Sequence, residues 1–290
     1  MAENKKKVLV FGNGQLGYDL IRVLKNDFEV VALDRQAVDV TDKQAVISAV
    51  KQANPVFVIN ATAYNKVEQA ESERDLAFQI NSQAVCNLGE AAKLVDAIFV
   101  HVSTDYVFDG SRDFFKESDE PNPLNAYGAS KLEGESKLKD IGGKFYLIRT
   151  SSVFGVKQSG QKMNFVDKII SLAKEGKPLK VVADQIMSPT YSLDLANKIK
   201  EIMEKLPAFG IYHITNQGSC SWYEFAKEIL ENMGLKANLD KITAAESGSK
   251  VIRPKISVLK NTALLSAGIN LLPSWQDAVG RYLKEKYGPR

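Results

Sequence analysis

A glycine-rich hexapeptide near the amino terminus places the strongest constraint on the fold of this chain. Gly12, Gly14 and Gly17 have the spacing G-x-G-x-x-G in the segment GNGQLG. The apolar run KVLVF precedes this segment, and an amphipathic stretch that contains Leu20 and Leu24 follows it. Glycines at these positions permit a tight turn from strand to helix and let the backbone approach a pyrophosphate at the helix amino terminus. The segment therefore predicts a dinucleotide-binding strand-turn-helix unit.

A second predicted strand supports this interpretation and bears on the choice of cofactor. The apolar segment EVVAL ends in Asp34. An acidic residue at this distance from the glycines binds the adenosine ribose in NAD-dependent proteins, whereas an arginine accommodates the 2′-phosphate of NADP. Arg35 follows Asp34 directly. Both NADH and NADPH are therefore open as cofactors.

The alternation of strands and helices predicts the fold class. Further strand-like apolar runs at 56–59, 97–100 and 145–150 are separated by helix-like segments. This rhythm requires a parallel sheet with helices on both faces. We predict an α/β fold in which residues 1–150 form a Rossmann-like, doubly wound parallel sheet. Residues 151–290, which include a strand near 210–214, form a smaller C-terminal substrate-binding lobe, with a boundary that the chain can cross again.

A second polar segment carries the candidate chemistry. Ser103, Thr104 and Asp105 directly follow an apolar strand-like run, and Tyr127 precedes Lys131 by four residues in a helix-like segment. Residues at positions i and i+4 share one face of a helix, and a nearby cation lowers the pKa of a tyrosine. Such a pair is usually a solvated helix face. Its position after a dinucleotide-binding segment makes Tyr127 a candidate general acid or base.

Charge and hydropathy limit the classes of protein to consider. The formal net charge is +3 over 290 residues, so nothing requires nucleic acid or a membrane surface as a partner. The basic run Lys5–Lys7 precedes only four apolar residues, too few for a signal peptide, and no stretch approaches the roughly 20 apolar residues of a membrane span. We expect a cytoplasmic protein.

The cysteines and histidines predict no metal centre. Cys86 and Cys220 are far apart, which argues against a disulfide framework or a thiolate metal site. His101 and His213 lie in apolar strand-like runs, where a packed histidine is the more common case. We expect all four to be core residues.

Eight sequence blocks, in order, carry a resemblance to a known family. They are GNGQLG, STDYVFDG, YGASK, RTSSVFG, the pair Asn164–Phe165, DQ-x-x-SPTY, GIYHITNQG-x-x-SWYEFA and RPKISVLKN followed by LPSW. The cofactor half and the Tyr/Lys pair resemble the short-chain dehydrogenase/reductase superfamily. Over essentially the whole length, the chain resembles the dTDP-4-dehydrorhamnose reductase family.

The resemblance implies a reaction and assigns residues to it. It implies that NADPH or NADH reduces the 4-keto group of a dTDP-4-dehydro-6-deoxy sugar, foremost dTDP-4-dehydro-L-rhamnose. Tyr127 would protonate the 4-oxygen, while Lys131 would lower the pKa of Tyr127 and hold the nicotinamide ribose; Thr104 completes the catalytic set. The implied substrate contacts are Thr104, Asp105, Tyr127, Ser152 and Asn164. The implied cofactor contacts are Gly12, Gly14, Gln15, Leu16, Gly17, Asp34, Arg35, Asp39, Val40, Ala63, Tyr64 and Asn65, with Tyr127 and Lys131.

Three departures from the family pattern qualify these roles. Asn13 alone separates Gly12 from Gly14, where the family usually has two residues. Thr62 replaces a usual alanine. Ser152 replaces a tryptophan that packs against the sugar, so either the substrate differs or another aromatic side chain, such as Phe154 or Tyr191, contacts the sugar.

Several alternatives stay open at this point. A non-catalytic NADP-binding regulatory subunit of methionine adenosyltransferase has the same motifs and keeps the Tyr/Lys pair, and nucleotide-sugar epimerases match in the cofactor half. Asp39 either contacts the adenine or only shapes its turn. Asn81, in a predicted helix over 75–93, is either near the active site or simply exposed. A homodimer is compatible with the resemblance, although no complete set of metal-bridging carboxylates is present.

Overall fold

The structure is a computed structural model that describes residues 5–157 and 163–288. Its strands are β1 (Lys7–Phe11), β2 (Glu29–Leu33), β3 (Phe57–Asn60), β4 (Ile98–Thr104), β5 (Phe145–Thr150), β6 (Val153–Phe154), β7 (Leu179–Val182), β8 (Ile186–Met187), β9 (Thr190–Tyr191), β10 (Gly210–His213), β11 (Cys220–Ser221), β12 (Leu239–Ile242) and β13 (Ile256–Ser257).

The helices are α1 (Gln15–Leu24), α2 (Lys43–Ala53), α3 (Val67–Ala70), α4 (Arg74–Phe78), α5 (Ala84–Leu94), α6 (Ala126–Ile141), α7 (Phe165–Lys174), α8 (Ser192–Lys205), α9 (Trp222–Met233), α10 (Thr262–Ser266) and α11 (Trp275–Tyr287). A π-helical turn, Gln79–Gln83, joins α4 to α5. None of the helices within the described ranges has the length and apolar character needed to cross a bilayer.

Polar capping residues explain where several helices begin. The Asp42 carboxylate accepts hydrogen bonds from two backbone N–H groups at the start of α2, and Asn125 caps α6 in the same way. Ser221 and Glu224 form a reciprocal capping box at the start of α9. These contacts satisfy backbone donors that have no partner within the helix.

Six strands form the central sheet in the order β10-β5-β4-β3-β1-β2, and every neighbouring pair is parallel. The central strands are apolar throughout because helices cover both faces of the sheet; Val8, Leu9 and Val10, for example, have no exposed surface. The predicted Rossmann-like α/β fold is confirmed.

The strand order also determines where a ligand can bind. From β1 the chain proceeds to β2 on one side, and then returns to β3 on the other side of β1. Helices on opposite faces therefore leave a crevice at the carboxyl ends of β1 and β3, which is where open α/β sheets bind ligands. The register places Phe11 beside Asn60, and Asn60 beside His101, at this edge.

The chain crosses between the two lobes after residue 150. Strand β10, which the sequence analysis assigned to the smaller lobe, instead pairs with β5 as the edge of the central sheet. Helix α8 packs against α1, and its Leu195 and Ile199 belong to the same core cluster as Val8 and Val10. A boundary at residue 150 is therefore wrong for these segments, because they bury their apolar faces on the nucleotide-binding half.

The remaining C-terminal segments form a separate core. Helices α7, α9 and α11 enclose a cluster that includes Phe154, Tyr191, Phe225 and Tyr282. The rings of Phe154 and Tyr191 stack at 5.5 Å, and these residues are only 2% and 1% exposed. The hypothesis that one of them contacts the sugar in place of a tryptophan is therefore wrong.

The glycine-rich turn is packed as its spacing predicts. A Cβ atom on Gly17 would lie 2.0 Å from the carbonyl oxygen of Gly12, so no side chain fits there. Gly12 has a φ of +100°, which side-chain-bearing residues rarely adopt. Gly17 therefore allows α1 to begin directly against the turn after β1.

We expect Gly17→Ala to destabilise the protein by at least about 1–3 kcal/mol because the added methyl group overpacks the turn. Gly280→Ala is the matched control: it also replaces a helical glycine, but its Cβ would have only Asn232 Oδ1 nearby, at 3.7 Å. This control should stabilise the protein by roughly 0.5–1 kcal/mol. Urea unfolding of both variants measures the difference, and equal stabilities would contradict the packing argument.

Candidate active site

A cleft with a volume of about 730 Å³ lies at the carboxyl edge of the central sheet. This size is typical of small-molecule and cofactor sites. The predicted site residues that line it are Gly12, Gly14, Gln15, Leu16, Asp34, Arg35, Asp39, Val40, Ala63, Asn65, Thr104, Asp105, Tyr127, Lys131 and Ser152. The glycine-rich turn and the Tyr/Lys segment, more than 100 positions apart in the sequence, thus meet in one cleft.

Three predicted site residues have other roles in the structure. Gly17 packs against Gly12, as described above. The Tyr64 phenol donates to Glu73 (2.7 Å), which with burial raises the pKa of Tyr64 to about 12. Its ring packs with Ala70 and Ala77, so only the Tyr64 backbone borders the cofactor segment.

Asn164 organises the smaller lobe. Its Oδ1 accepts from the Asp167 N–H (2.9 Å) at the start of α7, and its Nδ2 donates to the Gly155 carbonyl (2.9 Å) and the Tyr282 hydroxyl (3.1 Å). These bonds occupy the polar atoms of a buried amide. The geometry therefore gives Asn164 a structural role in place of the substrate contact implied by the resemblance.

The start of α1 fits the pyrophosphate of a dinucleotide. Gly14 occupies the N-cap position, and no side-chain hydrogen bond caps this helix within the described residues. Its first backbone N–H groups are therefore available for an anion, which the helix dipole also favours. A Cβ on Gly12 would lie 2.9 Å from the backbone of Ala61, so the turn has room only for a glycine.

Two aspartates shape the part of the cleft that the adenosine would occupy. Oδ1 of Asp34 accepts from the N–H groups of Gln36 and Ala37, both at 3.0 Å. Oδ1 of Asp39 accepts from the N–H and hydroxyl groups of Thr41, and these bonds lower the pKa of Asp39. Each carboxylate therefore fixes its own turn and still lines the cleft, which is compatible with both roles considered for Asp39.

Lys131 is held deep in the site. Its Nζ donates to the carbonyl oxygen of Val102 (2.7 Å), and the residue is 1% exposed. Burial lowers the pKa of Lys131 to about 8, although the charge of Glu135 opposes this shift. The ammonium form therefore predominates below about pH 8 and is lost as the pH rises through that value.

Tyr127 keeps its proton at neutral pH. Burial raises the pKa of its phenol to about 12, and a hydrogen bond with the Thr104 hydroxyl acts in the opposite direction. The sequence analysis expected Lys131 to be the group that lowers this pKa; in the structure Thr104 has that effect, while the Lys131 ammonium is bonded to Val102. A phenol that stays protonated at neutral pH is suited to donate a proton.

Asp105 connects the ends of two strands below the phenol. Its Oδ1 accepts from the Thr104 hydroxyl (3.0 Å), and its Oδ2 accepts from the Ser151 hydroxyl (2.7 Å) after β5. Burial raises the pKa of Asp105, and the hydroxyl donors partly offset this effect. The carboxylate therefore orients Thr104 from a position at the floor of the cleft.

A buried ion pair beneath the site was missed by the sequence analysis. Arg149 donates to Glu135 through Nη2 (2.6 Å) and Nε (3.0 Å), and the Ser103 hydroxyl donates to the same carboxylate (2.6 Å). Glu135 is four residues after Lys131 and therefore lies on the same helix face. That spacing was a usable signal for its position.

Asn81 is a buried clamp in the π-helical turn. Its Oδ1 accepts from the Tyr64 N–H (2.8 Å), and its Nδ2 donates to the Tyr64 carbonyl and the Ser130 hydroxyl, both at 3.0 Å. The interpretation of Asn81 as an exposed polar residue is wrong. It fastens the segment after β3 to α6, next to Tyr127, and π-helical turns of this kind are common at functional sites.

The cysteines and histidines are placed away from solvent. Cys220 is buried, Cys86 is partly buried, and both are free thiols. His101 and His213 have no exposed surface. Within residues 5–157 and 163–288, no three His, Cys, Asp or Glu side chains are grouped so that they could hold a metal ion.

The doubly wound sheet, the glycine turn and the Tyr/Lys pair in one cleft define an NAD(P)H-dependent oxidoreductase of the short-chain dehydrogenase/reductase type. The family model for the RmlD substrate binding domain matches residues 6–287. The chain belongs to the dTDP-4-dehydrorhamnose reductase family.

Individual relatives match over almost their whole length. The chain is 40% identical to dTDP-4-dehydrorhamnose reductase from Aggregatibacter actinomycetemcomitans, covering 94% of this chain and 97% of the relative. It is 39% identical to the spore coat polysaccharide biosynthesis protein SpsK from Bacillus subtilis (strain 168), covering 97% and 98%. The crystal structure of dTDP-4-dehydrorhamnose reductase from Bacillus anthracis str. Ames in complex with NADP is similar, with a TM-score of 0.92, 39% identity and coverage of 97% and 99%.

We expect the enzyme to use both cofactors with less than about a tenfold preference, which corresponds to roughly 1.4 kcal/mol, because Asp34 and Arg35 both line the adenosine end of the cleft. Asp34→Ala should shift the preference toward NADPH by removing the carboxylate that repels a 2′-phosphate. The ratio of kcat/KM for NADPH and NADH in both proteins measures this, and a shift toward NADH would contradict the assignment.

Proposed function

We propose that this chain reduces the 4-keto group of a dTDP-4-dehydro-6-deoxy sugar with NADPH or NADH, and that dTDP-4-dehydro-L-rhamnose is its substrate. The observation that carries the proposal is the buried Tyr127 phenol, hydrogen-bonded to Thr104 in the cleft that Lys131 also lines. Similarity to dTDP-4-dehydrorhamnose reductases along nearly the whole chain supports the substrate class.

In the proposed reaction, the dihydronicotinamide supplies the hydride that reduces the carbonyl carbon. Tyr127 donates its phenolic proton to the carbonyl oxygen, so the ketone becomes an alcohol and the phenol becomes a phenolate. The Thr104 hydroxyl stabilises that phenolate by donating a hydrogen bond. The Lys131 ammonium adds a positive charge to the same cleft and is positioned to hold the nicotinamide ribose.

The two alternative functions receive less support. The epimerases and the methionine adenosyltransferase regulatory subunit resemble this chain mainly through the cofactor half and the Tyr/Lys pair. The family match, in contrast, continues through residue 287 and includes the smaller lobe. Cytoplasmic localisation and a homodimer stay predictions from the sequence.

Ser152 makes the sugar end of the proposed site unusual. It lines the cleft directly after β5 with a φ of +45°, a backbone conformation that is unfavourable for residues other than glycine. Such strain is often found at functional sites. A serine here leaves space where the family resemblance places a tryptophan ring, so we propose that the sugar is held more loosely than in relatives with tryptophan.

We expect Tyr127→Phe to lower kcat by about 10²-fold or more, because removal of a general acid has effects of this size, while cofactor affinity changes little. Lys131→Met should be at least as damaging and should also weaken cofactor binding. Steady-state kinetics with dTDP-4-dehydro-L-rhamnose, together with NADPH binding titrations, would measure both effects. Near-wild-type turnover of the Phe variant would show that Tyr127 is not the acid.

We expect Ser152→Trp to lower the KM for dTDP-4-dehydro-L-rhamnose with kcat nearly unchanged, the pattern that results when ground state and transition state gain the same contact. Ser152→Ala is the matched control, because it keeps a side chain at the same φ and adds no ring; its KM should stay close to that of wild type. Abolished turnover in Ser152→Trp would indicate a pocket that is built for another sugar. A wild-type protein that binds NADPH but reduces none of a panel of 4-keto sugars would favour the regulatory-subunit alternative.

A further inference from the structure

A buried histidine that has no role in the proposed reaction lies directly beneath Lys131. His101 is in β4 and has no exposed surface. Its Nε2 is 3.5 Å from the Nζ of Lys131, and its Nδ1 is 3.2 Å from the Nδ2 of Asn60 on the adjacent strand β3. The imidazole therefore lies between an amide and the ammonium group of the candidate catalytic pair.

The orientation of the Asn60 amide is determined by its other neighbours. Its Oδ1 accepts from the backbone N–H of Thr62 (3.0 Å) and from the Thr62 hydroxyl (2.6 Å). A backbone N–H can only donate, so the atom that faces it must be the amide oxygen. The Asn60 NH₂ group therefore faces His101.

This orientation selects one tautomer of His101. Because the Asn60 NH₂ group can only donate, Nδ1 of the ring must accept, and the proton of a neutral ring resides on Nε2. Burial, together with the charge of Lys131, lowers the pKa of His101 well below its usual range, so the ring is neutral at neutral pH. The N–H bond of His101 thus faces Lys131.

The tautomer treats the two charge states of Lys131 differently. An ammonium group has only N–H donors to present to Nε2–H, so the two groups oppose each other. A neutral amine has a lone pair that accepts the same N–H. The ring therefore favours the amine form over the ammonium form.

The other titratable groups around this site act in both directions. Glu135, on the same helix, favours the ammonium form, but its carboxylate is bonded to Arg149 on β5. Tyr127 and Asp105 lie on the cleft side, and Asp105 is bonded to Thr104 and Ser151. The balance at Lys131 is therefore sensitive to one additional neighbour such as His101.

We propose that Asn60 holds His101 in its Nε2–H tautomer and that this ring restrains protonation of Lys131, which makes His101 a positioning residue for the Tyr127–Lys131 pair. The functional part of this inference rests on the proposed role of Lys131 at the cofactor ribose. Its consequence is that cofactor binding weakens as the pH rises through the range in which Lys131 loses its charge.

The tautomer can be measured directly in the wild-type protein by ¹⁵N NMR of the imidazole rings. The sequence has only two histidines, so a His213→Gln variant assigns both sets of signals. We expect His101 to carry a single proton, on Nε2, from pH 6 to pH 9. A ring with its proton on Nδ1, or with both nitrogens protonated at pH 7, would overturn the proposal. This measurement uses neither cofactor nor sugar, so it does not depend on the proposed reaction.

The link to Lys131 is tested with Asn60→Asp. A carboxylate accepts from both Thr62 donors and from Nδ1–H, so the proton of His101 should move to Nδ1 and Nε2 should accept from Lys131. We expect the midpoint pH at which NADPH binding weakens, followed by NADPH fluorescence, to rise by about one unit or more. His213→Gln is the matched control: it replaces the other buried histidine, two strands away on β10, and should leave this midpoint unchanged. A tautomer that moves to Nδ1 without a change in the midpoint would overturn the link between His101 and Lys131.

Discussion

The site depends on the burial of two charged residues of one helix against the central sheet. Lys131 and Glu135 are 1% and 0% exposed, and each has a partner: Lys131 donates to the Val102 carbonyl, and Glu135 is bonded to Arg149. Leaving one member of a buried ion pair without its partner typically costs about 3–5 kcal/mol. The helix therefore has one favourable rotation about its axis, and that rotation directs Tyr127 toward Thr104.

The parts of the site that are local in sequence could be predicted. The glycine turn, Asp34 and the Tyr127–Lys131 spacing each lie within one strand-turn-helix unit or one helix, so period and turn chemistry are sufficient to place them. The parallel sheet then brings these units to one edge, because all of its strands end there. For this reason the fold class and most of the cleft lining followed from the sequence.

The errors arose where a side chain's partner is distant in the sequence. Asn164 bonds to Tyr282, 118 positions away, and nothing near Asn164 indicates that its amide is already occupied. Phe154 and Tyr191 were considered as sugar contacts because aromatic residues are common in binding sites, but their rings pack in the core of the smaller lobe. Asn81 has the polarity of a surface residue, and only the backbone of Tyr64 explains its burial.

The return of the chain to the central sheet has a consequence for synthesis on the ribosome. Strand β5 is complete at residue 150, but its outer neighbour β10 begins only at residue 210. At a synthesis rate of about 5–20 residues per second, the outer edge of β5 is without its partner for several seconds. An apolar strand with an open edge can pair with another chain during that time. The same connection that joins the two lobes in the finished protein therefore makes the nascent chain vulnerable to aggregation until its last third has been synthesised.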